Sequence, residues 1–412
     1  MYGKNDLRLE EFDLPALGDD EILAHVVSDS ICLSSYKSAK QGSEHKRVPS
    51  DIAERPVMIG HEFCGEIVEV GPKWRGRFSA GQKFSIQPAL NYKGSLAAPG
   101  YSYRYIGGDA TYVIIPSEVM EVGCLLAYEG EPYFLGSLAE PMSCIIGAFN
   151  AMYHTTPGSY RHEMGVVPGG RMAILAGAGP MGLGAIDYAL HFPSRPRLLV
   201  VTDIDQARLD RATKLFSPQH AATLGVDLRY VNTATAESSD EEMLDLTDGE
   251  GFDDIFVLAM VPAVVESGDR ILGRDGCLHF FAGPTNPDFS VTLNFYRLHY
   301  SSTHFVGTSG GTTEDMADAL RLMGEGTIDP SAMVTHVGGL DAVADTTLRL
   351  PEIPGGKKLI YTNVSLPLVA LEDLGKSDDS ALLRELGEIV SAHDGLWSLQ
   401  AEQHLLQNAP PI

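Results

Sequence analysis

The stretch "RMAILAGAGPMGLGAIDYAL", residues 171–190, decides the fold. It reads as a strand, a glycine turn and a helix. Met172–Ala176 is short and apolar, as buried parallel strands are. Gly177, Gly179 and Gly182 follow in the pattern G-x-G-x-x-G, with Pro180 and Met181 inside it. Alone the pattern is weak, but between a strand and a helix it has the context of a dinucleotide fingerprint. The glycines allow a tight turn and a close approach of the backbone to a pyrophosphate at the helix N-terminus. Asp203 ends the next strand, 21 positions after Gly182. Its carboxylate can accept from both ribose hydroxyls and repels a 2′-phosphate, so NAD(H) is expected over NADP(H). Arg208 could rescue NADP(H), stay in solvent or lie over the adenine. A glycine turn serving only helix–sheet packing is the competing reading.

Outward from this stretch the chain alternates. "RLLVVTDIDQARLDRATKLF" is strand, acidic end and helix, and "GFDDIFVLA" and "GCLHFFAG" are further strands. That alternation predicts an α/β, doubly wound parallel sheet over 151–304. After about residue 300 the alternation ends, with "THFVGTSGGTTEDMADALRLMGEG" as strand, turn and amphipathic helix capped by Thr312 or Thr313. Residues 1–150 read as β-rich, through "EILAHVV" and "ATYVIIP", with a buried helix opening at "AEPMSCIIGAFNAM". "KKLIYTNV" at 357–364 is a late strand. The expectation is one discontinuous domain, 1–150 with 305–364, around the doubly wound one. Residues 365–412 form a helical appendix, with one helix in "SDDSALLRELGEIV" and a second capped by Ser398.

Composition narrows the function. Of 412 residues 44% are hydrophobic and 21% charged, an ordinary globular profile. The formal net charge of −25 argues against nucleic acid and anionic membranes as partners, since both need a cationic footprint. No apolar run approaches transmembrane length, and "MYGKNDLRLEEF" lacks a signal-peptide core. The five cysteines, Cys32, Cys64, Cys124, Cys144 and Cys277, are scattered and odd in number. A disulfide framework is not expected, and a reducing cytoplasm is the default location.

A second stretch raises the question of chemistry. "VMIGHEFCGEIVEVG", residues 57–71, sets His61 and Glu62 at the mouth of an apolar strand. A catalytic zinc takes a few N, S or O ligands and keeps one position open. Cys32, in "SDSICLSSYKS", and Glu140, in "SLAEPMSC", could complete a set with His61, and Glu62 could be a close or exchangeable ligand. A lone cysteine is usually a small core residue, and a His-Glu pair is often a surface pair.

Taken together, "GHEFCGEIVEVG", the upstream cysteine and the downstream glycine fingerprint resemble the zinc-containing medium-chain dehydrogenase/reductase family, over residues 1 to about 364. The resemblance implies a GroES-like, β-rich catalytic domain and a Rossmann domain, with the active site in the cleft between them. It implies Cys32 and His61 as zinc ligands, and Glu140 as the third, as in members acting on polyols. Cys144 holds the column that alcohol-type members use. Glu62 would bind directly or from beside the metal. Zinc would act as a Lewis acid on a carbonyl oxygen, NAD(H) would carry the hydride, and Ser34 would relay the proton, with Glu62 as the other catalytic side chain. Where many members have a four-cysteine lobe, this chain reads "PALNYKGSLAAPGYSYRYIGGD" without cysteine. One zinc per subunit and no structural zinc is therefore expected. Ser35 replaces the aspartate that usually buttresses the metal histidine.

"YGKNDLRLEEF", "GSLAEPMSCIIGAFNAMYHTTPGSYRHEMG" and the C-terminal "GLWS" look like the narrower group of L-sorbose 1-phosphate reductases. That implies reduction of the ketose phosphate to D-glucitol 6-phosphate. The locally basic "YKSAKQGSEHKR", with Lys37, Lys40, Lys46 and Arg47, could hold the phosphate. Lys37 and Lys40, three apart, would share a helix face. An exposed basic turn is the alternative, and Arg104 or Lys93 are fallback phosphate ligands. The competing functions are an unphosphorylated polyol dehydrogenase and a zinc-free NAD(P)H-binding relative. The family favours dimers and tetramers, so a homo-oligomer is expected.

Overall fold

The computed structural model describes residues 1–412 except 157, 236–238 and 377–379. The chain divides into two compact units, one of Met1–Pro141, Thr312–Gly326 and Met333–Ile412, the other of Met142–Gly311 and Thr327–Ala332.

The second unit holds a six-stranded sheet in the order Asp227–Asn232, Leu198–Asp203, Arg171–Leu175, Phe252–Val257, Leu272–Phe280, His304–Val306. Every neighbouring pair is parallel. The order reverses between the first and fourth strands in sequence, the switch point where doubly wound folds bind ligands. The strand Leu198–Asp203 is buried along its whole length, and Met172–Leu175 likewise. That explains why these segments read as unbroken apolar runs rather than alternations. The predicted Rossmann sheet is present, with one extension. The strand His304–Val306 still belongs to it, so the unit runs to Gly311 rather than 304. Three residues are too few to show a period. The first boundary also differs. It falls at Pro141, inside the helix Ala139–Ala151, rather than at 150.

The first unit is built on a mixed eight-stranded sheet. Its path is Val369–Ala370, Val334–Gly339, Lys357–Tyr361, Ile22–Ile31, Phe63–Val70, Lys83–Ile86, Leu125–Ala127, and Tyr112–Ile115 also pairs with Ile22–Ile31. The long strand Ile22–Ile31 therefore joins the start of the chain to residues near 360, which explains the discontinuous domain. Its core includes Ile22, Ala24, Val26, Phe63, Ile67, Phe84 and Ile86. The helix Thr313–Gly324 begins in a capping box, with Thr312 Oγ1 accepting from Asp315 N and Asp315 Oδ2 from Thr312 N.

Residues 365–412 are not a separate appendix but part of this unit. The helices Ala381–Ala392 and Leu399–Asn408 form as the apolar spacing predicted, the second capped by Ser398. They place Leu386, Val390, Trp397, Ala401 and Leu405 into one cluster with Phe134, Leu359 and Tyr361. Trp397 is 1% exposed and donates from Nε1 to Tyr361 Oη at 2.7 Å. The buried Glu402 carboxylate accepts from Tyr133 N at 2.7 Å and Phe134 N at 2.8 Å, at the start of the helix Tyr133–Ser137. A carboxylate there satisfies N–H groups that the helix itself leaves orphaned. Among the described residues no helix is long and apolar enough to cross a membrane.

Candidate active site

Cys32 is the residue preceding the helix Leu33–Gln41, and it has extended backbone angles. Its thiol thus stands at a helix N-terminus, where the positive end of the dipole favours a thiolate. The first turn of that helix brings Ser34 and Ser35 to one partner, His61. Ser35 Oγ lies 3.2 Å from His61 Nδ1, and Ser34 Oγ lies 3.1 Å from His61 Nε2 and 3.1 Å from Cys32 Sγ. With the proton on Nδ1 shared with Ser35, Nε2 presents its lone pair to the cluster. Ser35 therefore supplies the contact that the missing aspartate would have made, through a hydroxyl rather than a carboxylate.

His61 is fixed from behind by the backbone. Gly60 has φ +87, and a Cβ there would come within 2.5 Å of Asp109 N. The loop carrying Asp109 pairs with this segment, Gly108 N donating to Gly60 O at 2.7 Å and Asp109 N to Ile59 O at 3.0 Å. Glycine is required directly before His61, since a side chain at 60 would collide with Asp109 and break this pairing of the two segments.

Cys32, His61 and Glu62 each place a ligand atom within 4.8 Å of the others. Glu140 is the second residue of the helix Ala139–Ala151, and its charge acts on His61, Glu62 and Cys32 together. Burial pushes its carboxyl up to about 7, with the Glu62 charge adding to the effect. Burial lowers His61, so the imidazole is neutral at pH 7, as a metal ligand must be. Burial also raises the Cys32 thiol, again helped by Glu62. These are donors of the type and number a zinc site uses, an S, an N and carboxylate O atoms, with proton affinities a cation would offset. Cys144 sits one turn beyond Glu140 on the same helix.

Glu62 has partners the sequence did not reveal. Lys357 Nζ donates to both of its oxygens, at 2.5 and 2.6 Å, and Ser30 Oγ also donates to it. Both partners are buried, Lys357 6% exposed and Glu62 1%. Burial opposes the Glu62 charge, but Lys357, with His61 and the Ser30 hydroxyl adding, outweighs it and holds the carboxyl below its usual range. The same carboxylate raises Lys357 against its own desolvation. The one available signal was a lysine pair, Lys357–Lys358, opening an apolar strand, because buried lysines need partners.

Tyr101 was also missed. It is 5% exposed, and its hydroxyl lies 3.1 Å from His61 Nε2, on the same side as Ser34. "APGYSYRYIGG" has no spacing that marks it. Lys37 is half-buried near Cys32, whose charge acts on it, and Lys40 is exposed with its ammonium 5.6 Å from the Tyr36 ring. Arg104 and Lys93 are exposed and lie over Tyr105 and Tyr92.

In the second unit, Gly177–Gly182 leads from the strand Arg171–Leu175 into the helix Pro180–His191. A Cβ on Gly182 would meet Gly177 O at 1.9 Å, so the turn closes only with glycine there. A Cβ on Gly179 would meet nothing within 4 Å, which leaves open space at the helix N-terminus. The Asp203 carboxylate accepts from Ala178 N at 3.2 Å, Ile204 N at 2.8 Å and Asp205 N at 3.1 Å. A carboxylate offers about four acceptor positions. The turn itself thus uses most of Asp203, with less left for ribose than both hydroxyls need. Arg208 is half-exposed, 3.6 Å from Asp205 Oδ2.

Comparison with known proteins fits this geometry. Residues 18–123 match the alcohol dehydrogenase GroES-like domain, and residues 180–325 match the zinc-binding dehydrogenase domain. The chain is 50% identical to L-sorbose 1-phosphate reductase of Klebsiella pneumoniae, covering 100% of this chain and 97% of that one. It is 50% identical to mannitol-1-phosphate 5-dehydrogenase of Aliivibrio fischeri, covering 99% and 96%. It is 53% identical to the Escherichia coli protein YggP, covering 98% and 96%. The fold is also that of 2R,3R-butanediol dehydrogenase from Bacillus subtilis, with a TM-score of 0.70 at 20% identity over 88% of this chain and 98% of that one. The chain belongs to the zinc-binding, medium-chain alcohol dehydrogenase family, and it is an enzyme of the dehydrogenase/reductase class.

Proposed function

We propose that this enzyme interconverts a ketose phosphate and a polyol phosphate with zinc and NAD(H), L-sorbose 1-phosphate and D-glucitol 6-phosphate being the favoured pair. The observation that carries the reading is the cluster of Cys32, His61 and Glu62, with the Glu140 charge acting on all three and the Ser34 hydroxyl against His61 Nε2. Half identity over the full chain to two enzymes named for hexose-derived phosphates supports the substrate class. Zinc bound there would supply Lewis-acid polarisation of a carbonyl oxygen, and the nicotinamide would supply or accept hydride.

The chain's own residues would do the rest. Cys32, His61 and Glu140 would hold the metal, one zinc per subunit. Glu62, already neutralised by Lys357, would stand beside it. Ser35 would keep the His61 proton on Nδ1. Ser34, between Cys32 and His61, would move a proton to or from the reacting oxygen through its Oγ. Gly177, Gly179 and Gly182 would cradle the pyrophosphate. Asp203 would favour NAD(H) through its charge more than through ribose hydrogen bonds, and Ile204, 72% exposed beside it, offers apolar surface. Lys37 would face the phosphate more directly than Lys40, being the more buried and the nearer to Cys32. A homo-oligomer, dimer or tetramer, is the assembly we expect.

The two named relatives pose a regiochemical choice. In L-sorbose 1-phosphate the carbonyl adjoins the phosphorylated carbon, whereas a mannitol-1-phosphate 5-dehydrogenase reacts four carbons from it. The test is turnover of D-glucitol 6-phosphate, D-mannitol 1-phosphate and D-glucitol with NAD and NADP, before and after chelation, alongside metal analysis. Preference for unphosphorylated D-glucitol, or full activity after complete metal loss, overturns the reading.

A further inference from the structure

A cationic side chain lies against the tyrosine that touches His61, and it comes from a segment that supplies none of the cluster's ligands. Tyr101, whose hydroxyl contacts His61 Nε2, is covered on its ring by two residues of the basic segment. His45 stacks on it at 5.8 Å and 9°, and the Arg47 guanidinium lies 5.7 Å from the ring centroid. The Tyr101 ring is in turn 4.8 Å from the His61 ring. Arg47 is only partly exposed, and among the described residues it makes no ion pair. Its side-chain hydrogen bond is one long contact, Nη1 to Leu96 O at 3.5 Å. In a chain of net charge −25 the Arg47 guanidinium has no carboxylate partner among the described residues, which leaves its charge available to an anion. The backbone of Arg47 is pinned, its carbonyl accepting from Ser102 Oγ at 2.6 Å and its N–H facing His45 Nδ1 at 3.3 Å. Burial, with Arg47, Lys46 and Lys37 adding, holds His45 down at about 4, so His45 is neutral and brings no competing charge at pH 7.

We propose that Arg47, braced by Tyr101 and His45, is the specificity-determining residue that receives the phosphate of the substrate, with Lys37 as the second cation. This rests on the polyol-phosphate reading above. Guanidinium suits the task because its planar fork matches two phosphate oxygens at once and stacks on an aromatic face while doing so. Tyr101 then couples the two ends of the substrate. Its hydroxyl borders the reacting end at His61, and its ring fixes the cation that binds the phosphate.

The experiment compares wild type, Arg47→Gln, Arg47→Lys and the exposed neighbour Lys46→Ala, each with D-glucitol 6-phosphate and with D-glucitol. Inhibition by inorganic phosphate and inorganic-phosphate binding by calorimetry are measured in parallel. Arg47→Gln should raise KM for the phosphorylated substrate about ten- to a hundredfold, with kcat and the D-glucitol kinetics changed little. Arg47→Lys should recover part of that loss, and Lys46→Ala should match wild type. Phosphate inhibition should weaken in step with KM. Equal effects of Arg47→Gln on both substrates, or inorganic phosphate bound as tightly as in wild type, overturn the proposal. If the wild type turns over no polyol phosphate, the functional reading fails. The calorimetric comparison then still decides whether Arg47 builds an anion site.

Discussion

Replacing Lys357 with methionine should expose how the centre tolerates a carboxylate that is almost wholly buried. In metal-free protein the ammonium is the main compensation for Glu62, bonding both oxygens at 2.5 and 2.6 Å. Removing one partner of a buried pair leaves an uncompensated charge and costs about 3–5 kcal/mol. For a unit of this size that corresponds to a fall in melting temperature of about 6–20 °C. The loss should depend on pH in a definite sense. In the wild type Glu62 is held below its usual range, so its contribution is present above the unfolded carboxyl pKa and lost as pH falls through the lower folded value. Without Lys357, burial, the largest influence on Glu62, is opposed only by His61 and the Ser30 hydrogen bond and raises the carboxyl, so the variant instead loses stability as pH rises. The gap between the two proteins should therefore widen from pH 5 to pH 8. The assay is calorimetric unfolding in chelator across that range, with Lys357→Met, Glu62→Leu and the double variant. Apolar replacement of both partners should recover most of the loss. Additive single effects, or a gap that does not change with pH, would refute the claim that the two charges depend on each other.

Ser35→Ala should weaken zinc binding about ten- to a hundredfold, the usual cost of removing a ligand's outer partner, measured by competition with a chromogenic chelator. Ser35→Asp should restore it. Zinc uptake by metal-free protein should release protons and weaken as pH falls below about 7, because burial holds the Glu140 proton up to that value and raises the Cys32 thiol as well. A flat affinity between pH 6 and 8 counts against Glu140 as a ligand. Trp397→Ala should destabilise the first unit by about 3–5 kcal/mol, read as a lower unfolding midpoint, because Trp397 is among the largest fully buried side chains and joins residues 365–412 to the Tyr361 core. No change would mean that the C-terminal helices fold independently.

What the sequence determined by itself was whatever depends on local order. Gly177, Gly179 and Gly182 announce the dinucleotide turn because a strand, a tight turn and a helix must follow one another directly, and the close approach of Gly182 to Gly177 lies within six residues. Gly60 before His61 is local in the same way, and so are the Thr312 and Ser398 caps, where each side chain bonds a backbone only three residues ahead. The domain edges were less legible. A three-residue strand at His304–Val306 carries no period, and the C-terminal helices show an apolar face without saying what it covers. The charge balance of the centre was decided by tertiary structure alone. Lys357 meets Glu62 across 295 positions, because the strands Lys357–Tyr361 and Phe63–Val70 both flank Ile22–Ile31. Tyr101 reaches His61 from a loop without regular pattern. Ligands are chosen by chemical type, which a sequence displays. Buried countercharges are chosen by proximity, which arises only when distant strands pair and exclude water between them.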